Sequence, residues 1–175
     1  MKYKHSNLTK RIQRIAILTI AICFSIQFNS IASLDNTDFS GNWALNESKS
    51  TLGERTFGIS PAINVVQDGN NFTLTKTRKN RTGEEMKTTE KYTIDGKKSV
   101  NTSGRSPSSS VLTWSTDKKA LTITTTSVME RDGQKSEIKT VEIWNLSNEG
   151  KTLTINSTST SSRGERKTTM VYDKQ

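Results

Sequence analysis

The feature that most constrains this chain is a two-residue alternation of apolar and hydroxyl-bearing side chains. Residues 121–126 read Leu-Thr-Ile-Thr-Thr-Thr and residues 152–155 read Thr-Leu-Thr-Ile. A strand buried on one face has this period, and the β-branched threonine side chain itself favours strands. Residues 33–175 carry no apolar stripe at helical spacing. The sequence therefore predicts an all-β domain.

Short turn sequences separate the alternating segments. Gly follows a polar residue at 68–69, 95–96, 132–133 and 149–150, among others. Asp-Gly pairs accept the positive φ angles of tight hairpin turns, so consecutive strands are expected to pair antiparallel. The predicted strands cover residues 41–46, 62–67, 71–79, 86–94, 98–103, 109–115, 120–130, 134–146, 151–160 and 165–173.

An up-and-down meander of about ten strands has two unpaired edges if it stays flat. Closure into an antiparallel barrel removes both edges and buries one face, which favours a barrel over a two-sheet sandwich. A sandwich usually needs longer connections, and residues 47–61 are the one long stretch available. Strand 134–146 carries Val141 and Ile143 on one face and Trp144 and Leu146 on the other, which suggests a β-bulge or burial on both faces.

The N-terminus has the pattern of an export signal. Five basic residues precede an apolar run that starts at Ile15, and the small residues Ser30 and Ala32 follow it. The run has roughly 12 apolar residues, fewer than the roughly 18 of a membrane-spanning helix. We therefore expect a signal peptide at 1–32, a single domain at 33–175, a periplasmic or secreted location and no stable membrane insertion. Lipidation of Cys23 is not expected, because the large Ile22 precedes it.

Removal of this segment changes the charge and the available chemistry. The full chain has 26 Lys and Arg against 17 Asp and Glu, a net charge of +9, but the first 32 residues hold five of the cations and none of the acids, leaving +4. The single cysteine, Cys23, and the single histidine, His5, also lie there. Cys and His nucleophilic dyads, Ser-His-Asp triads and His or Cys zinc sites are thus excluded from the mature domain.

Carboxylates are the main catalytic groups that remain. They lie near predicted turns or alternate with lysine as on an exposed strand face, and no spacing selects an acid and a base for glycoside hydrolysis. We expect no enzyme, no cofactor and no metal. The acidic residues weighed are Glu84, Glu85, Glu130, Asp132, Glu137 and Glu142.

A motif at the start of the predicted barrel points to a known superfamily. Phe39 precedes Gly41 and Trp43 in the sequence Phe-Ser-Gly-Asn-Trp. Glycine permits close approach of the chain, and an indole can plug the end of a barrel. The motif resembles the Gly-x-Trp signature of the calycins, which include lipocalins and fatty-acid-binding proteins. Residues 170–174 are similar to the closing strand of the fatty-acid-binding branch, and the whole pattern resembles small secreted bacterial lipocalin-like proteins.

The departures from that branch are specific. Fatty-acid-binding proteins present an Arg-x-Tyr pair on the last strand for the ligand carboxylate, whereas here Tyr172 follows Met170. Their helix-turn-helix lid is also not expected, because residues 47–61 are short and contain Gly53, Gly58 and Pro61. The resemblance therefore implies the barrel more strongly than a carboxylate site.

A ten-stranded barrel can enclose a small ligand in addition to its own side chains. The aromatic residues that would line such a cavity, or simply fill the core, are Phe72, Tyr92, Trp114, Trp144 and Tyr172.

Two basic clusters flank predicted hairpins. They lack interleaved aromatic residues for base stacking, so we interpret them as solvated hairpin edges and expect no nucleic-acid partner. The clusters are Lys76, Arg78, Lys79 and Arg81, and Arg163, Arg166 and Lys167.

These observations favour an exported lipocalin-like protein that binds a small apolar or amphipathic molecule without chemistry. The alternative is a packed β-barrel scaffold whose outer face binds a protein, a glycan or the cell envelope.

Overall fold

The computed structural model describes residues 35–53, 59–80, 82–102, 107–131 and 133–175. These residues form ten strands and one short 3₁₀ turn at Glu47–Lys49. The strands are β1 Gly41–Leu45, β2 Ala62–Asp68, β3 Asn71–Lys79, β4 Glu85–Thr93, β5 Lys98–Asn101, β6 Ser108–Trp114, β7 Ala120–Arg131, β8 Gln134–Leu146, β9 Thr152–Ser161 and β10 Gly164–Lys174. The predicted boundaries agree to within one residue, apart from the end of β5.

All ten strands belong to one antiparallel sheet in the order β4-β3-β2-β1-β10-β9-β8-β7-β6-β5. Consecutive strands pair as hairpins, and β1 also pairs with β10, where Trp43 lies opposite Lys174 and Leu45 opposite Tyr172. This pairing of the first and last strands curls the meander into a nearly closed barrel. The predicted all-β up-and-down barrel is confirmed, and the sandwich is not formed.

The N-terminal segment crosses one end of the barrel, which we call the closed end. The Thr37 backbone N–H donates to the Lys118 carbonyl at 3.0 Å, and the Gln67 side chain donates to the Thr37 carbonyl at 3.2 Å. These bonds attach the segment to the β6–β7 turn and to β2. The chain thereby places Phe39 under the barrel, where its side chain is fully buried.

An aromatic cluster fills the closed end. The Phe39 ring stacks on Trp114 with centroids 5.9 Å apart and meets the edge of Trp144 at 6.0 Å. Phe72 meets Trp144 at 5.8 Å. The Trp43 indole N–H donates to the Phe39 carbonyl at 3.0 Å, so the buried indole has its polar atom satisfied. We call this group, Phe39, Trp43, Phe72, Trp114 and Trp144, the aromatic plug.

Gly41 begins β1 in a backbone conformation that residues with a side chain rarely adopt. Its φ is +144°, and a Cβ atom there would lie 2.9 Å from the Lys174 side chain. The Lys174 ammonium lies 5.2 Å from the centre of the Trp43 ring, a cation–π distance. The Phe39, Gly41 and Trp43 motif thus joins the plug to the β1–β10 seam.

The barrel has one discontinuity in its backbone pairing, between β4 and β5. There the Lys91 N–H donates to the Asn101 side-chain carbonyl at 2.8 Å, and the Asn101 side-chain amide donates to the Lys91 carbonyl at 3.0 Å. Ser99 accepts from the Thr93 N–H at 3.0 Å. A side-chain amide carries the same kinds of donor and acceptor as a peptide group. The Asn101 side chain therefore replaces the missing backbone hydrogen bonds between β4 and β5.

The bulge expected in β8 is wrong. Its register with β7 and with β9 is unbroken along the paired residues. Trp144 faces the interior and Ile143 the outside, where it is 41% exposed. Ile143 is therefore a partly exposed aliphatic residue on the outer face, as is common on protein surfaces.

The connection between β1 and β2 contains a 3₁₀ turn and no longer helix in its described part. Asn46 caps the turn by accepting from the Lys49 N–H, and it donates to Asp173 at 2.6 Å. The predicted absence of a two-helix lid holds for residues 47–53 and 59–61, while residues 54–58 lie outside the described ranges. Across the described residues there is no helix of the length and apolarity needed to cross a bilayer.

The substitution Asn101→Ala should open the junction between β4 and β5. It leaves the Lys91 N–H and carbonyl without their partners, which costs about 1–3 kcal/mol of unfolding free energy. Urea unfolding measures that loss, and hydrogen exchange of the Lys91 amide should accelerate. The exposed Asn145→Ala on β8 is the matched control. Equal stability of the two variants would contradict the bridging role.

Candidate functional site

A cavity of about 250 Å³ lies inside the barrel above the aromatic plug. Apolar and aromatic side chains form its floor, to which Ile59 of the β1–β2 connection adds a further apolar contact: Ile63, Leu74, Tyr92, Trp144, Ile155, Met170 and Tyr172. Polar and charged side chains form its walls: Ser60, Lys76, Glu90, Thr125, Thr140, Glu142, Ser157, Ser159, Arg166 and Thr168. The interior is thus apolar near the closed end and polar away from it.

Strand register explains this division. On β8 the inward residues are Trp144, Glu142 and Thr140 in order from the closed end, and on β9 they pair with Ile155, Ser157 and Ser159. The inward positions thus change from apolar to polar within one two-residue step on each strand. The cavity begins where the apolar inward residues end.

The structure separates the aromatic residues selected from the sequence into two groups. Tyr92, Trp144 and Tyr172 border the cavity. Phe72 and Trp114 lie beneath it as members of the plug, where Phe72 is fully buried and Trp114 stacks on Phe39. Three of the five residues therefore border the cavity, where Trp144 and Tyr172 expose only 1% and 2% of their surface, and two support the floor from below.

An ion pair crosses the wall between β3 and β4. The Lys76 ammonium lies 2.8 Å from the Glu90 carboxylate, and both side chains are mostly buried. The Tyr92 hydroxyl donates to the same carboxylate at 2.7 Å. Burial alone would raise the pKa of Glu90, but the charge and hydrogen bond of Lys76, the Tyr92 hydroxyl and the charge of Arg78 together lower it below its ordinary value.

Both phenols of the floor are held protonated. Burial, followed by the charge and hydrogen bond of Glu90 and the charge of Glu142, raises the pKa of Tyr92 far above its ordinary value. Burial and the charge of Glu142 also raise the pKa of Tyr172. Tyr172 donates to the Ser60 carbonyl at 2.9 Å, which ties the last strand to the β1–β2 connection. Each phenol therefore acts as a donor to a fixed acceptor.

Two charged residues interpreted from the sequence as exposed, Glu142 and Lys76, are partly buried on the cavity wall, whereas Arg166 borders the cavity and is exposed as expected. Glu142 was expected on a solvated strand face, and Lys76 and Arg166 on solvated hairpin edges. All three border the cavity. Glu142 is two residues from Trp144 and therefore lies on the same face of β8. This spacing could have predicted that Glu142 faces the interior. Glu90 shares the parity of Tyr92 but was not identified from the sequence, because a charged side chain in an alternating strand usually faces water.

The position equivalent to the carboxylate-binding arginine is occupied by a thioether. Met170 is 8% exposed, and its sulfur lies 4.0 Å from the Tyr172 hydroxyl. Because the Tyr172 hydroxyl donates to Ser60 and Met170 carries no charge, this pair presents no cation to an anionic group. Within the described residues, no group of three Asp, Glu, His or Cys side chains is placed to hold a metal ion.

Comparison with solved structures shows a related barrel. The structure is similar to that of zebrafish ileal bile acid-binding protein complexed with cholic acid, with a TM-score of 0.51 and 20% sequence identity. The match covers 78% of this chain and 98% of that chain. No family model and no curated protein sequence matches the chain. The domain therefore has a calycin-like barrel fold, as its Gly-x-Trp motif indicated.

The ion pair predicts a specific acid sensitivity. Since the pKa of Glu90 is lowered on folding, its contribution to stability is present above the unfolded-state pKa of about 4.3 and is lost as the pH falls through the lower folded-state pKa. Glu90→Gln should therefore reduce stability at pH 7 and flatten the loss of stability below about pH 4.3. Urea unfolding across this pH range measures both effects. Glu85→Gln, on the outer face of β4, is the control, and the same acid profile for both variants would contradict the role of Glu90.

Proposed function

We propose that the domain binds a small amphipathic molecule inside its barrel and releases it unchanged. The observation that carries this proposal is the cavity of about 250 Å³ with an aromatic floor and polar walls. Ligand sites in proteins are typically concave and apolar, with a few fixed polar groups that orient the ligand. The bile acid complex of the similar barrel supports the proposal by showing that this fold can hold an amphipathic ligand.

The dimensions and polarity of the cavity restrict the ligand. Its volume lies below the roughly 300–1,000 Å³ of most drug-sized sites. The ligand is therefore small. A purely apolar molecule would strip water from Lys76, Glu90 and Glu142 without replacing its hydrogen bonds. The walls therefore favour an amphipathic over a purely apolar ligand.

Native mass spectrometry of the mature protein from its own host, followed by extraction, tests the function most directly. A stoichiometric small molecule would identify the ligand class. A mass without ligand, with no shift on addition of lipids or small amphiphiles, would count against the proposal and favour recognition through the outer face.

A substitution that fills the cavity provides an independent test. Ser157 faces the interior beside Glu142, so Ser157→Phe should occupy much of the cavity. In a ¹H–¹⁵N NMR titration with 2-phenylethanol, the wild type should show saturable shifts at inward-facing residues, and Ser157→Phe should lose them. Thr160→Phe, on the outer face of the same strand, should bind like the wild type. Equal binding by both variants would place the probe outside the barrel.

We also propose that the protein is exported with cleavage after Ala32. The support is the order of basic residues, apolar run and small residues in the sequence. Expression of the full chain in a bacterium should give a periplasmic or secreted product. Its intact mass should equal that of a chain that begins at Ser33. An uncleaved product in the cytoplasm would contradict the assignment.

A further inference from the structure

The charges around the cavity are unequally matched. Four ionisable side chains other than the phenols border it, two of each sign: Lys76, Arg166, Glu90 and Glu142. Lys76 is paired with Glu90 at 2.8 Å, and Arg166 also has an interaction partner. Lys76 is therefore already engaged within the cavity, whereas Arg166 is exposed to solvent at its edge. A ligand that enters the cavity meets Glu142 as the carboxylate whose charge is least compensated.

The contacts of Glu142 leave most of its acceptor capacity unused. Among the described residues, no lysine or arginine nitrogen lies within 4.0 Å of its carboxylate. Its hydrogen bond is with the Trp144 indole N–H, at 3.2 Å. An ionised carboxylate has about four acceptor sites. One neutral donor therefore compensates only part of the cost of placing this charge inside a barrel.

Trp144 contacts the same carboxylate, and two further aromatic rings border the same cavity. Trp144 precedes it toward the floor, and the charge of Glu142 contributes to raising the pKa of both Tyr92 and Tyr172. All four side chains border one cavity. A carboxylate beside several aromatic rings is a favourable environment for a positively charged nitrogen, which gains an ion pair and cation–π attraction together.

A buried hydroxyl at the cavity is also without a partner. Ser60 is 3% exposed and borders the cavity, and its side-chain oxygen makes no hydrogen bond. Buried polar atoms of this kind are usually paired. Because that oxygen has almost no accessible surface, a bound molecule would reach it only after a shift of the residues that cover it.

From this arrangement we infer that the ligand is a small organic cation, an amine whose ammonium group pairs with Glu142 and whose apolar body rests on Trp144, Tyr92 and Tyr172. The inference rests on the proposed binding function and specifies its ligand class. For an anionic ligand, Lys76 is held by Glu90 and the Met170–Tyr172 pair offers no cation, which leaves the exposed Arg166 as the remaining cation at the edge of the cavity.

Three probes of nearly the same shape separate charge from size. Phenethylamine, 2-phenylethanol and phenylacetate carry a positive, a zero and a negative charge on the same aromatic body. Their dissociation constants are measured by ¹H–¹⁵N NMR titration against the wild type at neutral pH. An ammonium–carboxylate hydrogen bond should make phenethylamine bind about tenfold or more tightly than 2-phenylethanol. Phenylacetate should bind most weakly.

Glu142→Gln keeps the shape of the side chain and removes its charge. It should abolish the preference for phenethylamine over 2-phenylethanol, measured as the ratio of their dissociation constants. Glu142→Asp should restore part of the preference, and Glu137→Gln, on the outer face of β8, should retain all of it. The dispersion of the amide spectrum verifies that each variant is folded.

Several outcomes would overturn the inference. Saturable binding of all three probes with equal affinity, or tightest binding of phenylacetate, would reject the cationic ligand and leave the proposed binding function intact. If Glu142→Gln still prefers phenethylamine, groups other than Glu142 cause the preference, and the inference is also rejected. Absence of binding by every probe, with no ligand on the native protein, would reject both the inference and the proposed function.

Discussion

The burial of Phe39 at the closed end is the interaction on which the rest of this barrel depends. A ten-stranded barrel has a wide interior, and only 30% of this chain is apolar, so the inward side chains alone do not fill it. The N-terminal segment supplies an additional ring from below, and that ring contacts Trp114 and Trp144 while its carbonyl accepts from Trp43. Loss of a buried phenylalanine of this kind typically costs about 3–5 kcal/mol. The cluster concentrates the apolar residues at one end and thereby determines where the cavity lies.

The polar half of the interior is tolerated because most of its charged groups are paired. Lys76 and Glu90 form an ion pair to which Tyr92 adds a hydrogen bond. Tyr172 donates to the Ser60 carbonyl and so connects the last strand to the segment beside the cavity. Such pairs contribute little net stability relative to an apolar core, but breaking one of them leaves an uncompensated charge. These hydrogen bonds also hold the tyrosine hydroxyls at the cavity in fixed directions.

The fold was largely predictable because period and turn chemistry are local properties of the sequence. Nine of the ten strands have the expected bounds to within one residue, and the Phe39, Gly41 and Trp43 motif indicated the barrel type. The cavity was less predictable. Phe72 and Tyr92 are neighbours across β3 and β4, yet one supports the floor and the other borders the cavity. Depth along a strand depends on the register with strands distant in sequence. The inward charges were misplaced because a lysine or glutamate in an alternating strand usually faces water, and the partner that permits Lys76 to turn inward is on another strand.

Polar groups inside a barrel determine ligand choice mainly by exclusion. A site with fixed donors and acceptors rejects a molecule that lacks complementary groups, because those groups would be desolvated without new partners. Here an acyl chain would cover Glu142 without offering it a hydrogen-bond donor, and it would gain apolar contact only with the floor. The energy gained from burying a few methylene groups, about 0.8 kcal/mol each, does not exceed the cost of isolating a carboxylate. The same calycin-like architecture can therefore select against long apolar ligands simply by changing which inward positions are polar, with the backbone of the barrel unchanged.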